Sequence, residues 1–234
     1  MIKSILKHKI SMLILAALIS ISGFYGCNND SPVTTTQTDN LSFSYMSTAD
    51  TTDNSGILVL DTVKILLKDI KLNVASSNDS TNFKTGPYVL YLNLNSSINI
   101  IGSAYIPVGT YDKVQFEVHK LNDNETPPDP EFVDANGRYS VIVKGTYNGV
   151  YFNFKSDKSA KQKLNFPNAL VVSANGTSNI TLKVTPFCWF IDGSNGFMDP
   201  NLTGNHDKID KNIKENIKAN FKAFKDNDRN GIPD

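Results

Sequence analysis

Apolar and polar positions alternate through most of the middle of this chain. In VQFEVHK, Val114, Phe116 and Val118 alternate with Gln115, Glu117 and His119, and in SNITLKV, Ile180, Leu182 and Val184 alternate with polar neighbours. A period of two sends successive side chains to opposite faces of an extended chain, so both segments predict strands with one buried face and one wet face. YSVIVKGTYNGVYFNF carries Asn148-Gly149 between two such runs. That pair predicts a tight hairpin, because the favoured two-residue turn needs positive φ at both central positions. NALVVSANGTSNITLKV repeats the device around Asn175-Gly176 with a longer loop. Many short strands at this spacing, over residues 41–191 and without crossover helices, predict a mainly β fold, an antiparallel sandwich or barrel.

One segment breaks the alternation. In VKILLKDIKLNV, Val63, Ile65 and Leu67 share one parity while Ile70, Leu72 and Val74 share the other. A flat strand would turn half of this apolar set to water. A bulge near Lys68-Asp69 would restore one buried face, and a strand covered on both faces is the alternative.

Beyond Ile191 the period changes. DGSNGFMDPNLTGN, within residues 192–205, reads as a loop. In HDKIDKNIKENIKANFKAFKDN, Ile209, Ile213, Ile217, Phe221 and Phe224 recur at spacings of four, four, four and three, which lines one face of an amphipathic helix over residues 206–225. Asn205 or Asp207 is placed to cap it. A helix this short is marginal alone, so its Ile/Phe stripe must dock on the β body or on a partner. Its lysines read as a solvated face, with contact to anionic lipid as the alternative.

The N-terminus sets the compartment. Lys3, Lys7 and Lys9 precede the apolar run Ile10–Ile21, long enough for the core of an export signal and short for a membrane span. Gly26-Cys27 follows the break at Gly23, and the whole resembles a bacterial lipoprotein signal over residues 1–26 with Cys27 as the lipidated residue. Such a chain is anchored to a membrane of the bacterial cell envelope. Residues 27–40, rich in Thr, Asn and Asp, read as a flexible tether. Residues 1–26 hold three of the 23 basic side chains and no acidic one, leaving 20 against 23 and a formal charge of −3. That balance gives no reason to expect a nucleic-acid partner. The other cysteine, Cys188 in TPFCWF, is expected as a buried thiol, or as a disulfide partner of Cys27 if no lipid is added.

SGILVLDTVKILLKDIKLNV, followed by IPVGTYDKVQFEV, resembles a domain of secreted bacterial and archaeal lipoproteins that has no established activity. There a strand pair leads through a Pro-Gly-Tyr turn, here Pro107, Gly109, Thr110 and Tyr111, into an amphipathic strand. NALVVSANGTSNITLKVTPFCWF resembles its closing hairpin. The resemblance spans residues 55–190 and implies a β-sandwich.

The tail DNDRNGIPD carries the one recognisable ligand pattern. Asp226, Asp228 and Asn230 at positions one, three and five turn oxygens to one centre, Gly231 permits the sharp turn, Ile232 offers its backbone carbonyl, and Asp234 supplies side-chain and terminal carboxylates. The tail resembles the start of a helix–loop calcium motif and a single thrombospondin type 3 repeat, which implies Ca²⁺. It lacks the bidentate glutamate at position twelve, so Asp192 and Asp199 are candidate further donors. Catalytic signatures such as HExxH, GxSxG or a phosphate-binding glycine loop do not occur. His119 and His206 read as surface residues. The expected function is therefore a membrane-anchored, non-enzymatic binding or structural module, with a glycan or protein ligand met through exposed aromatics such as Tyr147 and Tyr151. The alternative is an envelope hydrolase acting on glycan, for which Glu125, Asp129 and Glu131 are the available carboxylates.

Overall fold

Two β-sheets face each other across one apolar core in the computed structural model, which describes residues 38–48, 56–75, 82–194 and 196–234. The leader, Cys27 and most of the tether lie outside the described residues. In chain order the strands are β1 (Leu41–Ser47), β2 (Leu58–Val74), β3 (Asn82–Thr85), β4 (Tyr88–Tyr91), β5 (Asn99–Ala104), β6 (Gly109–Val118), β7 (Val133–Asp134), β8 (Gly137–Arg138), β9 (Val141–Tyr147), β10 (Val150–Ser156), β11 (Ala160–Val172), β12 (Ser178–Val184) and β13 (Lys222–Lys225). The one α-helix among the described residues, α1, spans Thr203–Ala219. The first sheet has the order β13-β12-β1-β5; the second runs β10-β9-β2-β6-β11, with β3 and β4 also paired to β2. The mainly β sandwich expected from the alternation is the fold observed. One pairing departs from antiparallel: β1 lies parallel to β12, which the long excursion between them permits.

The split parity of β2 has the predicted cause. Register shifts between Leu67 and Asp69, so Val63, Ile65, Leu67, Ile70 and Leu72 all reach the core. A second shift lies between Leu60 and Thr62. Leu66 points the other way and packs with Leu121, Phe132 and Ile142 in a smaller cluster on the outer face of the second sheet. The Asn148-Gly149 turn is as expected, with φ of 50° and 75° and Tyr147 paired to Val150. Tyr111 is buried at the start of β6 and its hydroxyl donates to the Pro107 carbonyl at 2.8 Å.

Several boundaries differ from the sequence reading. Asn175-Gly176 does not close a hairpin: β11 pairs with β6 in the second sheet and β12 with β1 in the first, so this loop carries the chain between layers. Asn40 belongs to the body, fully buried, with its side chain bonded to the backbone of Ile106 and Ser173. The helix starts at Thr203 and has no side-chain cap. Asn205 instead donates to the Asp199 carbonyl at 3.0 Å. It ends at Ala219, and Phe224 lies in β13, because the exposed edge of β12 takes up the backbone of Lys222–Lys225 in antiparallel pairing. Ile209, Ile213 and Ile217 dock on the sandwich and join its core, with Phe221 stacked on Phe116 at 5.7 Å. Residues Gln37–Asp234 form one compact unit, so helix and tail are parts of the body.

Candidate metal centre

The outer face of the first sheet is built from small polar side chains. Ser42 and Ser44 of β1 and Asn179 and Thr181 of β12 alternate with core residues, as the period predicts, yet all four are buried. Asn179 organises them: its Oδ1 accepts from Ser42 Oγ at 2.8 Å and Ser44 Oγ at 3.1 Å, and its Nδ2 donates to the Asp226 carbonyl at 2.9 Å. The C-terminal loop covers this face, so the expected wet side of SNITLKV is dry.

Pairing of β13 with β12 delivers Asp226 onto this polar floor. Its carboxylate is fully buried. Oδ2 accepts from Thr181 Oγ at 2.6 Å and from the Gly231 amide at 3.1 Å, and Oδ1 from the Asn230 amide at 2.9 Å. The loop therefore folds around its first aspartate. Gly231 has φ of 80°, which favours glycine, and a Cβ there would lie 2.9 Å from Met46 Sδ, so the Met46 side chain would have to shift.

Asp226, Asp228 and Asp234 each present an oxygen within 4.8 Å of the others, the metal-ligand grouping found among the described residues. Asp234 Oδ2 accepts from the Asn227 amide at 2.8 Å and has Lys225 Nζ at 3.8 Å. Asn230 spends its side-chain oxygen on the Ile232 amide at 2.7 Å, closing an Asx-type turn, while the Ile232 side chain is exposed. Arg229 turns away to β1, where Nη2 donates to Ser42 Oγ at 3.1 Å. Three hard carboxylate donors on a glycine-turned loop can hold a divalent cation. Asp192 and Asp199, expected as further donors, use their carboxylates on their own turns, Asp192 accepting from the Ser194 and Gly196 amides and Asp199 from the Asn201 amide. Sequence reasoning missed Asn179 and Thr181 as the supports of Asp226. Their signal is that the outward positions of LSFSYMS and SNITLKV include Ser, Asn and Thr where long charged side chains would mark water.

A second charged cluster lies on the outer face of the second sheet. Lys64 Nζ sits 2.7 Å from Asp129 and 3.3 Å from Glu131, Lys144 Nζ is 2.8 Å from Glu131, and the Tyr91 hydroxyl donates to Asp129 at 2.6 Å. Burial pushes the Asp129 carboxyl up, but the bonds from Lys64, Tyr91 and the Glu131 amide outweigh it and hold the group at about 2. These carboxylates are tied to lysines, and they pin the segment between β6 and β9 onto the sheet. A cavity of about 510 Å³ nearby is lined by Asp123, Glu125, Pro127 and Arg138 among others. There Glu125 accepts from the Asn122 amide and Asp123 faces Arg138 at 3.3 Å.

Other expectations are corrected. Tyr147 is half-buried and donates to the Phe197 carbonyl at 3.0 Å, which leaves Tyr151 as the exposed aromatic of that hairpin. His206 packs edge-on against Phe154 at 5.3 Å, and Cys188 is half-buried between buried Phe187 and Trp189. Compared with protein-family models, curated proteins and solved structures, the chain matches none.

Proposed function

We propose that this chain is a non-enzymatic binding or structural lipoprotein of the bacterial cell envelope, anchored through lipid on Cys27, whose C-terminal loop holds one calcium ion as a structural pin. The observation that carries the cation is the convergence of Asp226, Asp228 and Asp234 within 4.8 Å, on a loop whose first aspartate is fixed from the sheet below. Three like charges this close repel one another, and a divalent cation relieves that repulsion. All the candidate donors are oxygens, the ligand type calcium takes. Asp226 already accepts three hydrogen bonds, which leaves part of its oxygens' capacity for an ion and favours weak binding. Affinities of order 10⁻⁴ to 10⁻³ M serve extracellular modules, and the export signal directs the chain to such a compartment.

Calorimetric titration of the protein with calcium tests this reading. One binding event at millimolar concentration is expected, with a rise in melting temperature equivalent to about 2.7 kcal/mol at 100 times the dissociation constant. No heat and no thermal shift at millimolar calcium would overturn it.

A further inference from the structure

Strand β10 ends the second sheet on one side, and its backbone and sequence make a self-complementary edge. Val150, Phe152, Phe154 and Ser156 lie opposite Tyr147, Gly145, Val143 and Val141 of β9. In a two-residue hairpin the closing pair and every second pair after it exchange hydrogen bonds. The amides and carbonyls of Tyr151, Asn153 and Lys155 therefore point out of the sheet. None of these groups has a backbone partner on that side among the described residues.

Proteins guard such edges with charge, proline or a covering element. Here the guard is weak. No proline interrupts β10, and Tyr151 and Asn153 are exposed. Its single charge, Lys155, is neutralised by Asp134 at 2.7 Å and lies over the Tyr139 ring at 4.9 Å.

The sequence around Asn153 is nearly palindromic, Tyr151-Phe152-Asn153-Phe154-Lys155. An antiparallel pairing with a two-fold axis through Asn153 sets the two Asn153 residues opposite each other and Tyr151 opposite Lys155 of the other copy. Every row then holds at most one charge, so no like charges meet across the seam. Asn, Tyr and the lysine stem share the outer face, while Phe152 and Phe154 remain in the core of their own copy. We propose that β10 pairs with β10 of a second copy of this chain, joining two second sheets into one continuous sheet about a two-fold axis at Asn153. The interface is isologous, and the closed symmetry ends the assembly at two.

Thiol cross-linking of the full chain in bacterial membranes tests the register, in a Cys188→Ser background whose own cross-linking sets the baseline. In the proposed pairing, Asn153→Cys places two thiols on residues about 5.5 Å apart between Cα atoms, within disulfide reach. Tyr151→Cys places them four residues out of register, about 14 Å apart, and beyond reach. The expected result is a disulfide-linked dimer, well above baseline, from Asn153→Cys and none from Tyr151→Cys. Asn153→Pro, which removes an edge-facing amide and keeps the amides that pair with β9, should abolish the dimer in sedimentation of the detergent-solubilised chain while its circular dichroism stays that of the folded parent. Absence of a dimer from a folded Asn153→Cys chain, equal cross-linking at both positions, or a parent chain that sediments as a monomer would each overturn the proposal.

Discussion

Thr181 donates its hydroxyl proton to Asp226 at 2.6 Å, joining the middle of β12 to the first residue of the C-terminal loop. The bond is fully buried, so the carboxylate cannot exchange these donors for water. Asp226→Ala leaves the Gly231 amide without its partner, while the Asn230 amide keeps Asp228 Oδ1 at 3.2 Å and the Thr181 hydroxyl keeps Ser44 Oγ at 2.8 Å, and a loss of about 1–3 kcal/mol in urea unfolding is expected even without calcium. Thr181→Val removes one donor at similar shape and should cost about 1 kcal/mol.

The calcium reading separates neighbouring residues. Asp228→Ala removes a ligand and should weaken the calcium-induced thermal shift severalfold. Arg229→Ala removes a cation from the loop and should leave that shift intact or increase it. Its contact with Ser42 is lost in the bargain, so a small drop in melting temperature without calcium is expected. Equal loss of the calcium response in both variants would point to loop disruption instead of ligand removal.

Gly231→Ala tests the loop's geometry without touching a carboxylate. Left-handed φ costs a non-glycine residue about 1–2 kcal/mol, and the new methyl meets Met46. Destabilisation of that order is expected by differential scanning calorimetry.

Acid should release the segment between β6 and β9 before it unfolds the core. Asp129 is held at about 2 against an ordinary 3.8, so the stability it contributes is fully present above 3.8 and is lost as pH falls from there through 2. Amide exchange across residues 121–139 should accelerate in that window. Lys64→Met removes the paired cation and should move the acceleration to higher pH.

The proposed lipid on Cys27 is directly measurable. The full chain expressed in bacteria should partition into detergent, and Cys27→Ser should shift it to the aqueous phase. A parent chain whose Cys27 stays unmodified would exclude the lipid anchor.

Local periodicity determined much of this protein. The strands, the Asn148-Gly149 turn, the β2 bulge and the apolar face of α1 follow from side-chain spacing and backbone preference, which act within a few residues. The DNDRNGIPD spacing likewise singled out Asp226, Asp228 and Asp234. Tertiary structure decided what lies over each strand face and edge, which no local rule contains. Phe224 fits a helical stripe and an edge strand equally well, and the vacant edge of β12 chose the strand. Asn179 and Thr181 fit a wet face, and only the return of the C-terminal loop from 45 residues away made that face dry and gave Asp226 its buried donors. Asn175-Gly176 has hairpin chemistry, but its flanking strands join different sheets because β1, from the far end of the body, pairs with β12 in parallel. Those partners are distant in sequence, so the free energy that selects them comes from burial and hydrogen bonding across the whole fold.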